Sequence, residues 1–199
     1  MKPKHNSESL RSLILDRIGR SIDAKEALRK DEKFQELVMQ VALQMVKSFE
    51  NGGTIFWAGN GGSAADAQHL AAEFTGRFLK ERRPLPSIAL SVNSSSLTAI
   101  GNDYGFEISF ARPLEALGKA GDVLVGISTS GNSPNVIKAL EVANAKSIYS
   151  VALTGKSGGK MKNIAKSAIC IPSDETPRIQ ECHVLTGHLI CEIVEEVMF

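Results

Sequence analysis

Residues 54–78 read TIFWAGNGGSAADAQHLAAEFTGRF, and this stretch decides the fold class. A short apolar run, Thr54 to Ala58, passes into glycines, and an alanine-rich segment from Ser63 to Phe78 follows it. Short apolar runs that end at glycine are typical of buried strands, and alanine is the strongest helix former. The stretch therefore predicts a strand, a tight loop and a helix.

The same pattern recurs along the chain. Apolar runs at 87–90, 122–127 and 148–153 are each followed by a polar turn and a helix-compatible stretch, and a weaker strand at 168–171 precedes Pro172. Alternation of this kind predicts an α/β fold, a three-layer, doubly wound parallel sheet with helices on both faces. In such folds ligands bind beyond the carboxyl ends of the strands, so we expect the functional loops there.

Further helices flank this core. We expect an N-terminal helix from about Glu8 to Ile22, and the apolar positions between Phe34 and Phe49 recur every three or four residues, as in an amphipathic helix. A last helix is predicted from about Arg178 to Val197. No linker divides the chain, so a single domain is expected, with extra N-terminal helices in residues 1–50 and the α/β core and C-terminal helix in 54–199.

Composition is that of a globular protein, with 43% hydrophobic and 23% charged residues. A net charge of +1 provides no strong field for nucleic acid or an anionic membrane. The polar start and the lack of any apolar run near ~20 residues predict neither a signal peptide nor a membrane span, and hence a cytoplasmic protein. The cysteines, Cys170, Cys182 and Cys191, lack CxxC spacing and are expected to be reduced.

The first loop, Gly59 to Ser63, follows a strand and opens a helix. Its backbone N–H groups and the positive end of the helix dipole make it a candidate anion site, although an ordinary structural turn is the alternative. The loop also matches the dinucleotide-binding fingerprint Gly-x-Gly-x-x-Ala. That motif needs an acidic residue about 20 positions later, and none follows the second strand, which argues against an NAD enzyme.

A second loop, Ser128-Thr129-Ser130-Gly131-Asn132-Ser133, also follows a strand, and Pro134 after it suits the first turn of a helix. Its hydroxyl groups can surround a phosphate without a full positive charge, although simple helix capping is the alternative. The stretch before Gly131 is not a hydrolase elbow, because serine stands at position 130 where Gly-x-Ser-x-Gly requires glycine.

A third glycine motif, Gly155-Lys156-Ser157, would end a Walker A sequence if position 150 were glycine, but it is Ser150. We therefore do not predict an NTPase. The first two loops follow strands of one predicted sheet, whose carboxyl edge should bring them together. A phosphate ester is the simplest ligand for such a pair.

Two pairs of polar residues share helix faces. His69 and Glu73 are four residues apart on the helix after the first loop, and Gln180 and His188 are eight apart on the last helix. Each pair can converge on one atom, although solvated side-chain contacts are the common alternative. Three other polar residues are expected to be structural or solvated: Glu181, His183 and His5.

Taken together, these motifs and their spacing resemble the phosphoheptose isomerase family, single-domain proteins of the sugar isomerase (SIS) fold, which is flavodoxin-like. The similarity extends from about Lys33 to the C-terminus. It rests on the first loop with His69 and Glu73, on Gly101-Asn102-Asp103-Tyr104-Gly105-Phe106, on residues 126–133, and on Arg178-Ile179-Gln180-Glu181 with His188.

The resemblance implies conversion of sedoheptulose 7-phosphate into D-glycero-D-manno-heptose 7-phosphate through an enediol. This is the first step toward nucleotide-activated heptose for lipopolysaccharide or related glycans. It implies Glu73 and His188 as catalytic residues and a homotetramer with sites near subunit interfaces. It also implies zinc, held by His69, Glu73, Gln180 and His188. The implied substrate contacts are Asn60, Gly61, Gly62, Ser63, Glu73, Asn102, Asp103, Ser128, Thr129, Ser130, Ser133 and Gln180.

Two positions leave details of that implied site open. Pro177 stands where some family members have an acidic residue near the sugar hydroxyls. Arg77 can reach the site or a neighbouring subunit, or it can be a surface arginine. The resemblance leaves open whether the zinc is catalytic or structural, because a carboxylate bound to zinc is a weaker base and glutamine is an uncommon zinc ligand.

Two other functions are found among SIS proteins. A related tetrameric scaffold binds the bacterial replication initiator protein, but it replaces the residues that match Glu73 and His188, and both are present here. SIS regulators that sense a sugar phosphate normally carry a DNA-binding domain, for which this chain has no room. The sequence therefore favours the isomerase.

Overall fold

The computed structural model of the protein describes residues 7–199 and contains a five-stranded parallel sheet. The strands lie in the order β2-β1-β3-β4-β5, and every neighbouring pair is parallel. The predicted doubly wound parallel sheet is therefore confirmed, with the flavodoxin-like strand order. The strands are β1 (Ile55–Gly59), β2 (Ser87–Ala89), β3 (Val123–Ser128), β4 (Tyr149–Thr154) and β5 (Ser167–Cys170).

Helices precede the sheet and connect its strands. Asp31 separates the first two helices and caps the second, because its carboxylate accepts hydrogen bonds from the backbone N–H groups of Lys33 and Phe34. A short 3₁₀ turn, Phe106–Ile108, follows the fourth helix. The helices are α1 (Ser7–Lys30), α2 (Glu32–Glu50), α3 (Gly62–Thr75), α4 (Ser94–Tyr104), α5 (Ala111–Leu117), α6 (Pro134–Ala145), α7 (Met161–Ile164) and α8 (Thr176–Met198).

The helices form a layer on each face of the sheet. Strand side chains alternate between the two faces, so that Trp57 packs with α2, α3 and α8 and the adjacent Phe56 packs with α5 and α6. Both aromatic side chains are buried. Strands buried on both faces explain the continuous apolar runs in the sequence.

Two predicted helix boundaries were wrong. The first helix continues past Ile22 to Lys30, because Ala24 and Leu28 in its last turns are buried in the core. Helix α3 ends at Thr75, before the predicted Phe78, since Gly76 ends the helix and the chain turns away there. His5, which was expected to be structural or solvated, lies outside the described residues.

Within residues 7–199, no helix is both long and apolar enough to span a membrane. The three cysteines are free, as predicted. Burial raises the pKa of the Cys191 thiol, which keeps it protonated and unreactive.

Candidate active site

Both predicted ligand loops lie at the carboxyl edge of the sheet. The first loop follows β1 and the second follows β3, and these two strands are direct neighbours in the sheet. In the order β2-β1-β3 the chain reverses direction across the sheet at this point, which opens a crevice between the loops. The topology therefore brings the two loops together, as the sequence predicted.

The first loop leaves the beginning of α3 accessible. Gly61 has a φ of +56°, a conformation that favours glycine, and it precedes α3 without a side-chain cap. A Cβ atom at Gly62 would collide with the side-chain amide of Gln180. Glycine at position 62 therefore lets α8 place the Gln180 amide directly against the first turn of α3.

The second loop gathers its hydroxyl groups at one place. The Ser128 hydroxyl lies 2.9 Å from the Ser133 hydroxyl and 3.3 Å from that of Ser130, and the Asn132 N–H donates to Ser130 Oγ at 3.2 Å. Although Ser133 precedes α6, its side chain makes no capping bond. The hydroxyl cluster is therefore not explained by helix capping, which was the competing interpretation.

A cavity of about 360 Å³ opens beside these hydroxyls. Its walls include the Gly155-Lys156-Ser157 turn that follows β4, so the Walker-like residues share the site although they form no Walker motif. The sequence analysis did not assign this turn to the site. Its position directly after a third strand of the parallel sheet could have indicated that it lies at the same edge. The lining residues are Thr129, Ser130, Asn132, Gly155, Lys156, Ser157, Ser173, Asp174, Thr176 and Ile179.

Three of the predicted helix residues converge. His69 Nε2 lies 3.3 Å from a Glu73 carboxylate oxygen and 2.8 Å from His188 Nε2, so α3 and α8 bring the three side chains together. The ring of Phe78 stacks on His188, with centroids 5.3 Å apart and planes 24° apart. This group joins two helices distant in sequence, whereas the alternative was a solvated contact within one helix.

The three side chains form a possible metal-binding group. Their ligand atoms all lie within 4.8 Å of one another. Two ligands of a tetrahedral zinc at ~2.0–2.1 Å are separated by roughly 3.3 Å, the spacing found between His69 and Glu73. At 2.8 Å, the nitrogens of the two histidines either share one proton or face one cation. Nitrogen and oxygen donors in this arrangement fit a divalent transition metal.

A family model described as the SIS domain matches residues 23–155 of the chain. A phosphoheptose isomerase of Aneurinibacillus thermoaerophilus is 54% identical over 94% of each chain. The phosphoheptose isomerase 2 of Campylobacter jejuni is 52% identical over 96% of each chain. The chain belongs to the phosphoheptose isomerase family.

Solved phosphoheptose isomerase structures agree with this assignment. The enzyme of Neisseria gonorrhoeae superposes with a TM-score of 0.88 at 44% identity, and the match covers 94% of this chain and 99% of that one. The enzyme of Francisella tularensis gives a TM-score of 0.89 at 38% identity, with 94% and 98% coverage. Family membership thus extends over nearly the whole length of these phosphoheptose isomerases.

The remaining predicted positions are more peripheral. Asn102 donates to the Asp103 carboxylate at 2.8 Å, and both lie exposed on the last turn of α4, where they do not line the cavity beside the hydroxyl loop. Arg77 is exposed, with its guanidinium 3.6 Å from the Glu81 carboxylate. Pro177 lies in the first turn of α8, where the missing N–H costs no helical hydrogen bond.

A buried ion pair between Arg82 and Glu195 holds the segments that carry Glu73 and Phe78 in this member of the phosphoheptose isomerase family. The sequence analysis did not identify it. The Arg82 guanidinium, fully buried, lies 2.8 Å from the Glu195 carboxylate and also donates to the backbone oxygen of Glu73 at 2.7 Å. Glu195 accepts backbone N–H bonds from Phe78 and Leu79. The pair therefore fixes the end of α3 and the segment that carries Phe78 onto His188.

Two polar residues of α8 have structural roles, as the sequence predicted. His183 is fully buried, its Nε2–H donates to the Thr154 carbonyl at 3.1 Å, and burial lowers the pKa of its ring to about 4. Glu181 accepts from the Ser21 hydroxyl at 2.6 Å and pairs with Arg178. His183 is therefore neutral at pH 7 and links α8 to β4.

Proposed function

We propose that the chain converts sedoheptulose 7-phosphate into D-glycero-D-manno-heptose 7-phosphate, the first step toward nucleotide-activated heptose. The observation that carries this proposal is the convergence of Glu73 and His188 in a member of the phosphoheptose isomerase family. A carboxylate beside an imidazole supplies the two proton-transfer groups that a ketose-to-aldose isomerisation needs. The scaffold relatives described above lack this pair.

Glu73 is the general base in this mechanism. Its side chain is 18% exposed, so the carboxylate is partly shielded from water but still accessible to it. The carboxylate takes a proton from C1 of the ketose, which leaves an enediol across C1 and C2. Return of the same proton to C2 gives the aldose and regenerates the carboxylate, so that no proton is consumed overall.

His188 moves the proton between the sugar oxygens. The carbonyl moves from C2 to C1 during the reaction, so O2 must gain a proton and O1 must lose one. A neutral imidazole carries one nitrogen that donates a proton and one that accepts one. Phe78 stacks on its ring and Nε2 faces His69, which holds the imidazole in one orientation.

The two loops bind the rest of the substrate. Ser130 lines the cavity, and its hydroxyl and those of Ser128 and Ser133, which cluster with it, are the proposed donors for the phosphate. Asn60 precedes α3 and the Gln180 amide lies against its first turn at Gly62, so both are proposed as contacts for the sugar. Because the reacting end and the phosphate end are held at separate places, substrate length contributes to specificity.

We further propose one zinc ion per subunit, held by His69, Glu73, His188 and Gln180. A bound zinc supplies Lewis-acid stabilisation for negative charge that develops on the substrate oxygens. The Gln180 amide is placed against Gly62 by α8, and its membership of this ligand set is the least typical part of the proposal.

Elemental analysis of protein purified without chelator should find about one zinc per subunit. His69→Ala removes an imidazole nitrogen from the group, and we expect the bound zinc to fall to a small fraction of the wild-type content. Gln68→Ala, an exposed neighbour on the same helix, is the matched control and should keep its zinc. Equal zinc content in His69→Ala and wild type would contradict this metal site.

We also propose a cytoplasmic homotetramer, built from one SIS domain per chain. Helix α1 supports this proposal because it leaves a run of aliphatic side chains 47–59% exposed, and such a surface is stabilised by burial against another subunit. These residues are Leu10, Leu13, Ile14, Ile18 and Ile22. The buried Ala24 and Leu28 at the end of the same helix anchor it to the core.

Purified protein incubated with sedoheptulose 7-phosphate should form D-glycero-D-manno-heptose 7-phosphate, followed by NMR. Tetramer state and metal content are measured on the same sample, so that an unassembled preparation is not mistaken for an inactive one. No product from a correctly assembled, metal-loaded protein would reject the proposed function. In D₂O, solvent deuterium at C2 of the product would support a transferred proton that exchanges on Glu73.

A further inference from the structure

The Asn60 side chain of the first loop is held by a second amide. Asn60 Nδ2 donates to Asn135 Oδ1 at 2.9 Å, and Asn135 Nδ2 donates back to Asn60 Oδ1 at 2.9 Å. Asn135 lies in the first turn of α6, just after the hydroxyl loop, and is only 2% exposed. This reciprocal pair directly joins the two ligand loops across the crevice between β1 and β3.

The orientation of the pair is fixed from the buried side. The backbone N–H of Val136 donates to Asn135 Oδ1 at 3.0 Å, and Asn135 Nδ2 also donates to the buried Ser109 hydroxyl at 3.3 Å. The Val136 N–H can only donate, so it assigns Asn135 Oδ1 as the acceptor, and Nδ2 is then the end that donates to Asn60 and to Ser109. Because Asn60 pairs with both ends, its own amide is oriented as well.

The Asn60 amide can form further hydrogen bonds besides those to Asn135. A primary amide carries two N–H donors and an oxygen with two acceptor positions, and the pair uses one of each. One donor and one acceptor of Asn60 are left, on a partly buried side chain at the beginning of α3. A polyhydroxylated sugar presents hydroxyls that match such a fixed donor and acceptor.

We propose that Asn135 is a positioning residue for sugar recognition: its buried amide orients Asn60, so that one donor and one acceptor face the substrate hydroxyls. This inference rests on the proposed isomerase function. Asn135 itself does not contact the substrate and acts through Asn60. The pair also couples the loop after β1 to the loop after β3, and so sets the distance between sugar and phosphate contacts.

A double-mutant cycle on kcat/KM tests the proposal, with Asn60→Ala, Asn135→Ala and the double variant assayed on sedoheptulose 7-phosphate. Loss of an oriented hydrogen bond predicts a fall of about tenfold for Asn135→Ala, mostly through a higher KM. If Asn135 acts only through Asn60, the double variant should be no worse than Asn60→Ala alone. Losses that multiply would overturn the inference, as would an Asn135→Ala enzyme within twofold of wild type.

Asn144→Ala is the matched control, because Asn144 lies on the same helix and also uses both ends of its amide, but away from the sheet's carboxyl edge. Its kcat/KM should stay unchanged. If Asn135→Ala does not fold, the isosteric Asn135→Asp replaces it in the cycle, since it keeps the volume but loses both donor bonds. An inactive wild type would reject the proposed function, whereas an active wild type with an additive cycle rejects only the role of Asn135.

Discussion

Glu73→Gln should lower kcat by at least ~100-fold, because glutamine keeps the shape of the side chain but cannot accept the C1 proton. The change is expected in kcat rather than in KM, since the base acts in the transition state and the sugar contacts remain. Steady-state kinetics by NMR or a coupled assay measure it. Thermal unfolding should be close to wild type, because Glu73 is not part of the hydrophobic core.

Measuring the zinc content of Glu73→Gln distinguishes two causes of its lost turnover, a missing base and a missing metal. A Glu73→Gln protein that retains its zinc but not its turnover assigns the defect to proton transfer, whereas joint loss assigns it to the metal group. Glu36→Gln makes the same chemical change at an exposed position of α2 and should retain full activity. Near-normal turnover in Glu73→Gln would remove this residue from the role of base.

Arg82→Met should destabilise the fold by about 3–5 kcal/mol, the usual cost of leaving a buried charge without its partner. The Glu195 carboxylate is 1% exposed and would lose Arg82, its only charged partner within residues 7–199. Urea unfolding at pH 7 measures the change. Arg83→Met, at the exposed neighbouring position, should alter stability by less than ~1 kcal/mol.

The loss of stability caused by Arg82→Met should become smaller as the pH falls. Burial favours the neutral form of Glu195, but backbone N–H groups and Arg82 outweigh it and hold the pKa of this carboxyl below its usual 4.5. A depressed pKa stabilises the fold above pH 4.5, and the contribution is lost as the pH falls through the folded-state value. The stability gap between Arg82→Met and wild type should therefore narrow in acid. A gap that widens would contradict this ion-pair interpretation.

The sheet was predictable because its strands are buried on both faces. Continuous apolar runs such as Thr54 to Ala58 carry a strong local signal, and the parallel order follows from the helices between them. Helix ends were harder to predict. The end of α3 depends on Gly76 and on the segment that Arg82 and Glu195 fix, and that contact is made 113 residues apart in sequence.

The site was predictable in part for the same reason. Loops after β1 and β3 meet because parallel strands end at one edge, and His69 with Glu73 follow from helix periodicity. Convergence of these residues with His188 depends on how α3 packs against α8, which periodicity alone does not determine. Asn135 escaped notice because a single asparagine in a first helical turn resembles any other, until its amide partner is known.

The sizes of the side chains at positions 62 and 180 depend on each other. Because its missing Cβ makes room for the Gln180 amide, a larger residue at 62 would displace a flexible side-chain tip rather than the backbone. Such a change costs the fold little and moves the Gln180 amide, a proposed substrate contact. Positions 62 and 180, 118 residues apart, should therefore change together during evolution, with any gain of volume at one matched by a shorter side chain at the other.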